Sequence, residues 1–325
     1  MSPTPVISAE QADWVSEVFR AAVQNIEQVI HGKRRTIELV FATALAGGHV
    51  LLEDVPGTGK TSLARALSAT QQGTSSRIQF TPDLLPGDVT GTTVFDQRAG
   101  AFTFHPGPIF AHVVLADEIN RASPKTQSAL LEVMEEGRVT VDRVSHEVPV
   151  PFLVIATQNP IEQAGTYRLP EAQLDRFMVK TSLGYPDHAA MMRILQGAGS
   201  AEPALTAVLS TERMRQAQEL SRTAHVSPLI ADYILRLVDA TRHAAEVRLG
   251  ASVRGALALT RLAATWAAVH GRSYVIPDDV RDLAVSVLAH RLVLEAEAEF
   301  DGVSAEDVLN QVLRDVPVPE ETGAP

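Results

Sequence analysis

Apolar residues recur at three- and four-residue spacing near the N-terminus: Val15, Val18, Phe19, Ala22, Val23, Ile26 and Ile30 share one face of a helix over 12–30. A second helix is predicted near 34–46, ended by Gly47 and Gly48, and HVLLE then reads as a short strand buried on both faces. Comparable runs follow at RIQF (from 77), VVLA (from 113), FLVIAT (from 152) and MVKTSL (from 178). Helical or irregular segments separate them, an alternation that predicts five parallel strands in a three-layer α/β sheet.

Two interruptions break that rhythm. Residues 81–110 carry Pro and Gly punctuation around two short strands, TTVF and AFTF. The stretch EEGRVTVDRVSHEVPVPF sets Val139 and Val141 against Val148 and Val150 across a polar turn, and reads as a hairpin at 137–150. From Tyr185 and Pro186 onward the pattern is helical. Asp187 caps a helix containing Met191, Met192, Ile194 and Leu195, and QGAGSAEPA reads as a linker. Ser227 and Pro228 mark an N-cap and first helical position, and a later helix ends at Gly271. Another helix follows from IPDDV, and the acidic, proline-rich end is expected to be disordered. The expected organisation is an α/β core over 1–184, a smaller all-α domain over 185–312 and a tail over 313–325.

Composition narrows the chemistry. The 325 residues include no cysteine, which removes disulfide, thiolate and cysteine-based metal chemistry and fits a cytoplasmic address. The start, MSPTPVISAE, lacks the cationic and apolar blocks of a secretory signal, so the mature chain is expected to begin here. The most apolar long window is broken by Glu38, Gly47, Gly48, His49 and Glu53, so no membrane span is expected. A net charge of −11 argues against a general nucleic-acid binder. The one basic run, HGKRR, reads as a solvated helix start.

The chemistry concentrates at three strand ends. PGTGKT after the first strand supplies glycines for a tight phosphate-cradling backbone, Lys60 for the β- and γ-phosphates and Thr61 as a metal-facing hydroxyl. Asp54 stands where the usual pattern has its first glycine; two readings are open, left-handed backbone geometry, which Asp tolerates, or a carboxylate turned away from the phosphates. VVLADEIN brings Asp117 and Glu118 to the end of another strand, suited to holding Mg²⁺ through water and to polarising an attacking water. Asn159 ends a third strand and is able to orient the same water. Arg176 is the first candidate for stabilising charge on a transferring phosphoryl group, with Arg121 and Arg254 behind it. No metalloprotease or serine-hydrolase motif is present.

Taken together, GGHVLLEDVPGTGKTSLARAL, FTPDLLPGDVTG, FHPGPIFAHVVLADEINRASPKTQSALLEVMEEGRVTV, ATQNPIEQAGTYRLPEAQLDRF and GASVRG resemble an AAA+ ATPase, and more closely the MoxR family, over nearly the whole chain. The resemblance implies a P-loop α/β core with a helical lid. It makes Pro56, Gly57, Thr58, Gly59, Lys60, Thr61 and Ser62 the Walker A loop, and Asp117 and Glu118 the Walker B pair. Asn159 becomes sensor 1, Arg176 an arginine finger and Arg254 sensor 2, while Ile30, His31 and Gly32 line an adenine pocket. Val253 and Gly255 stand where the family commonly has Pro and Ala.

The resemblance further implies ATP and Mg²⁺ as cofactors, a homo-hexameric ring with active sites between subunits, and interruptions that face a central pore. Its clients would be proteins, including ones with von Willebrand factor A domains, and its roles chaperone-like, with metal-cofactor insertion among them. Two other readings stay open: a magnesium-chelatase-like motor subunit, and a scaffold that binds nucleotide without hydrolysing it. GAFT at 100–103 matches the start of the GAFTGA loop of enhancer-binding activators, but Phe104 and His105 break the match and no basic helix-turn-helix follows.

Overall fold

The computed structural model describes residues 6–55, 57–98, 100–159, 167, 169–193, 195 and 205–319. The chain divides into two compact units, one of Ala21–Phe177 and Thr181–Arg215, the other of Met1–Arg20, Met178–Lys180 and Gln216–Pro325.

The first unit is built around the predicted strands. In chain order its elements are α1 (Ala9–Glu27, which straddles the division), α2 (Arg34–Leu45), β1 (Val50–Glu53), α3 (Lys60–Thr70), β2 (Ser75–Gln79), α4 (Pro86–Thr90), β3 (Gly91–Asp96), β4 (Ala101–Pro106) and β5 (Val113–Asp117). They continue with α5 (Pro124–Glu136), β6 (Arg138–Val141), β7 (Val144–Glu147), β8 (Leu153–Gln158), α6 (Glu171–Leu174), β9 (Val179–Thr181), α7 (His188–Arg193) and α8 (Thr211–Ser221), of which β9 and α8 also straddle the division. Five strands form one sheet in the order β2-β5-β8-β1-β9, flanked by helices. β8 pairs in parallel with β1 and β5, and β2 in parallel with β5.

Every residue of β5 is buried, as a continuous apolar run in a central parallel strand requires. Leu51, Ile78, Phe80, Val114, Val154, Leu130 and Phe177 join strands and helices in one core cluster. Each such side chain contributes about 2 kcal/mol by leaving water.

The interruptions become two antiparallel hairpins. β3 and β4 pair from Gly91 opposite Pro106 to Asp96 opposite Ala101, preceded by the short α4, which periodicity did not indicate. In the second hairpin β6 pairs with β7, so Val139 faces His146 and Val141 faces Val144. The expected pairing with Val148 and Val150 is not what forms. Asp142 and Arg143 take positive φ of 49° and 68°, closing a two-residue turn that leaves Val148 and Val150 beyond the strand. The hairpins meet where the Phe104 ring stacks on His146 at 3.9 Å, beside a cavity of about 460 Å³ bounded also by Phe102, Val141 and Val144.

The second unit comprises the start of α1, Val179 and Lys180 of β9 and the end of α8 with α9 (Pro228–His243), β10 (Val247–Leu249), α10 (Val253–Val269), α11 (Pro277–Leu288), β11 (Val293–Leu294), α12 (Ala296–Phe300) and α13 (Ala305–Asp315). It is helical as expected, with one added feature: the connections around α10 and α11 pair as the antiparallel ribbon β10-β11. Ser227 caps α9 by accepting the Ile230 N–H at 3.3 Å, with Pro228 in the first turn. Arg272 forks onto the buried Asp279 at 2.5 and 2.7 Å, and Phe19 meets Trp266 edge-on at 6.5 Å. α13 runs to Asp315, past residue 312 where the helical domain was expected to end, because Leu313 completes the buried stripe of Val308, Leu309 and Val312. Asp187 caps α7 by accepting the Ala190 N–H at 2.7 Å, while Ile194 and the linker 196–204 fall outside the described residues. Among the described residues no helix is long and apolar enough to cross a membrane.

One buried polar residue ties the sheet to its helical layer. His49 accepts the Val154 N–H at Nδ1 (3.0 Å) and its Nε2 lies 3.1 Å from the Met134 carbonyl, so the neutral Nε2–H tautomer satisfies both. Burial pushes its pKa from 6.5 down to about 4, against the opposing pull of the Met134 carbonyl. The unfolded chain therefore takes up a proton near pH 6.5 that the folded chain refuses until about pH 4. The neutral ring is fully compatible with the fold above pH 6.5, and stability falls as pH drops from 6.5 to 4, by on the order of 3 kcal/mol. Urea denaturation across that range is expected to show a shallower loss in His49→Gln than in the wild type; equal slopes would exclude His49 as the source.

Candidate nucleotide site

Parallel pairing decides where the chemistry gathers. β8 pairs Thr157 with Leu52 and Gln158 with Glu53 of β1 on one side, and Ala156 with Ala116 of β5 on the other. The carboxyl ends of β5, β8 and β1 thus lie along one margin of the sheet, where open α/β folds collect ligands. The PGTGKT loop follows β1, Asp117 and Glu118 close β5, and the buried Asn159 follows β8.

The loop after β1 has the backbone that phosphate cradling needs. Gly57 and Gly59 have φ of +84° and +94°, while nothing lies within 4 Å of where a Cβ would stand on either. Glycine is selected there by the sign of φ, not by crowding. Gly59 is the N-cap of α3, so the helix opens at Lys60 and the N–H groups of its first turn, including those of Thr61 and Ser62, point toward the loop. Thr58 Oγ1 donates to the Val55 carbonyl at 3.4 Å. Lys60 Nζ donates to the carbonyls of Asp54 (3.2 Å) and Val55 (3.3 Å). Pro56 lies outside the described residues.

Asp54 does not use the left-handed geometry considered for it. Among the described residues positive φ outside glycine occurs at Gln72, Glu118, Asp142 and Arg143. Its buried carboxylate is committed instead to two backbone donors, Leu183 N–H at 2.5 Å and Gly184 N–H at 2.8 Å.

The acidic pair is held by neighbours that sequence spacing does not reveal. Asp117 Oδ1 accepts the Thr157 hydroxyl at 2.7 Å, and Oδ2 accepts Arg77 Nη2 at 2.6 Å and Nε at 3.2 Å. The Thr157 oxygen in turn accepts the Glu118 N–H at 2.9 Å. Glu118 has φ of +57°, a left-handed conformation costing about 1 kcal/mol that sets its side chain apart from the regular strand direction. Its Oε2 accepts Gln79 Nε2 and Arg121 Nη1, both at 2.9 Å. Arg77 and Gln79 are alternate residues of β2, so they share a face. Only the register that sets Gln79 opposite Asp117 shows which carboxylates they meet.

The remaining candidates separate. Arg121 belongs to the Glu118 cluster, whereas Arg176 pairs with Glu135 of α5 at 3.1 Å. Ile30 is buried, His31 half-buried and Gly32 exposed, on the short turn between α1 and α2. Arg254 occupies the exposed first turn of α10 in the other unit. Gly255, next to it, leaves room for Arg291, whose Cδ would stand 2.9 Å from an added Cβ.

A parallel sheet with a glycine loop opening a helix after β1, an acidic pair ending β5 and a separate helical unit is the architecture of an AAA+ nucleotide-binding ATPase. Comparison with known proteins agrees: residues 49–179 match the model of the ATPase family associated with various cellular activities, and 239–312 that of the AAA lid domain. The chain is 42% identical to Chaperone MoxR1 of Mycobacterium tuberculosis, covering 94% of this chain and 83% of that protein. It is 32% identical to Protein MoxR of Paracoccus denitrificans, covering 89% and 92%, and 47% identical to the uncharacterized protein YeaC of Bacillus subtilis, covering 93% and 95%. A crystal structure from Cytophaga hutchinsonii, of a protein provisionally assigned as an ATPase, superposes with a TM-score of 0.89 at 36% identity, over 96% of this chain and 98% of that one. The chain belongs to the MoxR family of AAA+ ATPases.

Thr157 is fully buried and serves both acidic residues at once. Thr157→Val keeps its shape but strands the Asp117 oxygen and the Glu118 N–H. Chemical denaturation is expected to show a loss of about 1–3 kcal/mol; an unchanged midpoint would mean that other groups satisfy both.

Proposed function

We propose that the chain is a Mg²⁺-dependent ATPase that assembles as a six-membered ring and uses ATP hydrolysis between subunits to remodel or activate protein clients. One observation carries this reading: the Lys60 loop, the Asp117–Glu118 pair and Asn159 end three adjacent parallel strands, so a bound triphosphate would meet all of them together.

In this reading Lys60 leaves the loop carbonyls for the β- and γ-phosphates, and the N–H groups opening α3 hold phosphate oxygens. Thr61 and Asp117 supply hydroxyl and carboxylate oxygens, the hard donors that Mg²⁺ takes, and the Thr157 bond orients Asp117 for that task. An Mg²⁺ held by these residues would supply charge neutralisation to the phosphoryl group. Glu118 polarises the attacking water and Asn159 orients it, while Arg121, bonded to Glu118, acts within its own subunit. Arg176, paired with Glu135 and not with the acidic pair, serves a neighbouring subunit's nucleotide, and Arg254 reads nucleotide from the lid. Ile30, His31 and Gly32 take the adenine. The nucleotide core is taken as 1–184 and the lid as 185 to the end of α13 at Asp315.

A remodelling role draws support from the chaperone name of the Mycobacterium relative and from the aromatic surface of the insert hairpin, where Phe102 is 74% and Phe95 50% exposed. Clients with von Willebrand factor A domains, and metal-cofactor insertion, belong to this proposal through family resemblance.

Steady-state ATP hydrolysis with Mg²⁺, followed over a range of protein concentrations beside light scattering, tests the proposal. Specific activity is expected to rise with assembly. Glu118→Gln is expected to bind ATP and to lose about 10²-fold or more of turnover. Normal turnover in that variant would remove Glu118 from the chemistry, and binding without any turnover would favour a nucleotide-gated scaffold. Arg176→Ala is expected to lose about 10³-fold in rate with nucleotide binding retained. Mixing it with subunits dead at Glu118 but carrying Arg176 should restore activity; failure to do so would place Arg176 outside the neighbour's site.

A further inference from the structure

Residues 182–187, which carry the chain out of the sheet, are gripped from two sides. On one side the Asp54 carboxylate accepts the N–H groups of Leu183 and Gly184. On the other, Lys33 Nζ donates to the Tyr185 carbonyl at 2.6 Å and Thr36 Oγ1 to the Ser182 carbonyl at 3.1 Å. Gly32 approaches so closely that an added Cβ would stand 2.9 Å from Asp187 Oδ2, the carboxyl group that caps α7 through its other oxygen. Gly32 is one of the candidate base-site residues, Lys33 and Thr36 follow it into the start of α2, and Asp54 opens the phosphate loop, so residues from both expected ends of the site meet one six-residue segment.

Asp54 is the residue where the two functions join. Its backbone carbonyl receives Lys60 Nζ, the group expected to move to the phosphates, while its side chain holds Leu183 and Gly184. Its own N–H donates to the Gln158 carbonyl at 3.1 Å, fixing it to β8. A glycine at this position, as the usual loop pattern has, would leave two buried-side N–H groups unmet. An asparagine would offer one acceptor to two donors. Gly184 has φ of +62°, so the segment takes a conformation that side chains disfavour and that external hydrogen bonds help hold.

We propose that Asp54 is a positioning residue that couples occupancy of the phosphate loop to the order of residues 182–187. The proposal rests on the nucleotide-binding reading above and deepens it: the departure from the glycine pattern is the contact through which the loop reports to the segment leaving the sheet. A carboxylate accepting two N–H donors forms charge-assisted bonds, roughly twice as strong as neutral ones. Ordering of the loop is thereby transmitted directly to 183 and 184.

Hydrogen exchange on the full chain, with and without a non-hydrolysable ATP analogue and Mg²⁺, tests this. Amides 57–63 report binding and amides 182–187 report the coupling. In the wild type both groups are expected to slow by about tenfold or more on saturation. In Asp54→Gly the loop amides should still slow while 182–187 change by less than about twofold, and Asp54→Asn should fall between. A merely structural Asp54 would alter exchange equally with and without nucleotide, leaving the ratio unchanged. A wild-type ratio at 182–187 in Asp54→Gly overturns the proposal, as does one in Asp54→Asn should the glycine variant not fold. Wild-type protein that protects 57–63 but not 182–187 also overturns it. Absence of protection at both places in the wild type would instead bring down the nucleotide-binding reading itself.

Discussion

The parallel pairing of β8 with both β1 and β5 is the constraint on which the site depends. Parallel strands with crossover connections all end on the same margin, so three loops far apart in sequence are delivered to one place. The pairing also brings Thr157 beside Asp117, and the threonine hydroxyl locks the two strand ends together through one accepted and one donated hydrogen bond. Because that hydroxyl is fully buried, the bonds are not exchanged with water, and the geometry of the acidic pair is set by the sheet itself.

Charge balance follows from the same register. Two carboxylates at adjacent positions on a strand end repel each other, and each is met by an arginine: Arg77 from β2 at Asp117, Arg121 from the next turn at Glu118. Gln79 bridges the groups by accepting from Arg77 and donating to Glu118. The left-handed backbone at Glu118 separates the two carboxyl groups into different partners, so adjacent residues hold different positions in the site. Strain of this kind persists where surrounding bonds over-determine it, as the Thr157 and Gln79 contacts do here.

Much of this was legible in the chain. The strand runs, the glycine loop, the acidic pair and the stripes of the helices depend on local spacing, and their family likeness is distributed along nearly the whole length. Less legible were Arg77, Gln79 and Thr157, whose residue types are ordinary for strands and whose roles arise from which strand lies alongside. The hairpin itself was read from its polar turn, but the two-residue turn at Asp142 and Arg143 was not. Neither residue is glycine and arginine rarely takes left-handed geometry, so the turn carries only the weak mark of Asp142, and the valines at 148 and 150 suggested a longer pairing than forms.

By itself, then, the sequence determined the class of fold, the strands that carry chemistry and the phosphate loop, since each rests on periodicity or on contiguous residues of special backbone freedom. Only the tertiary structure decided what Asp54 does. A carboxylate has no preferred partner until the chain has folded, and the two N–H groups it accepts lie some 129 residues away along the chain, brought to it by the order of strands in the sheet. The same holds for the stack of Phe104 on His146, which joins two hairpins separate in sequence into one surface. Local propensity writes elements; which side chains confront one another across them is settled by packing, where burial and hydrogen-bond satisfaction are judged over the whole core at once.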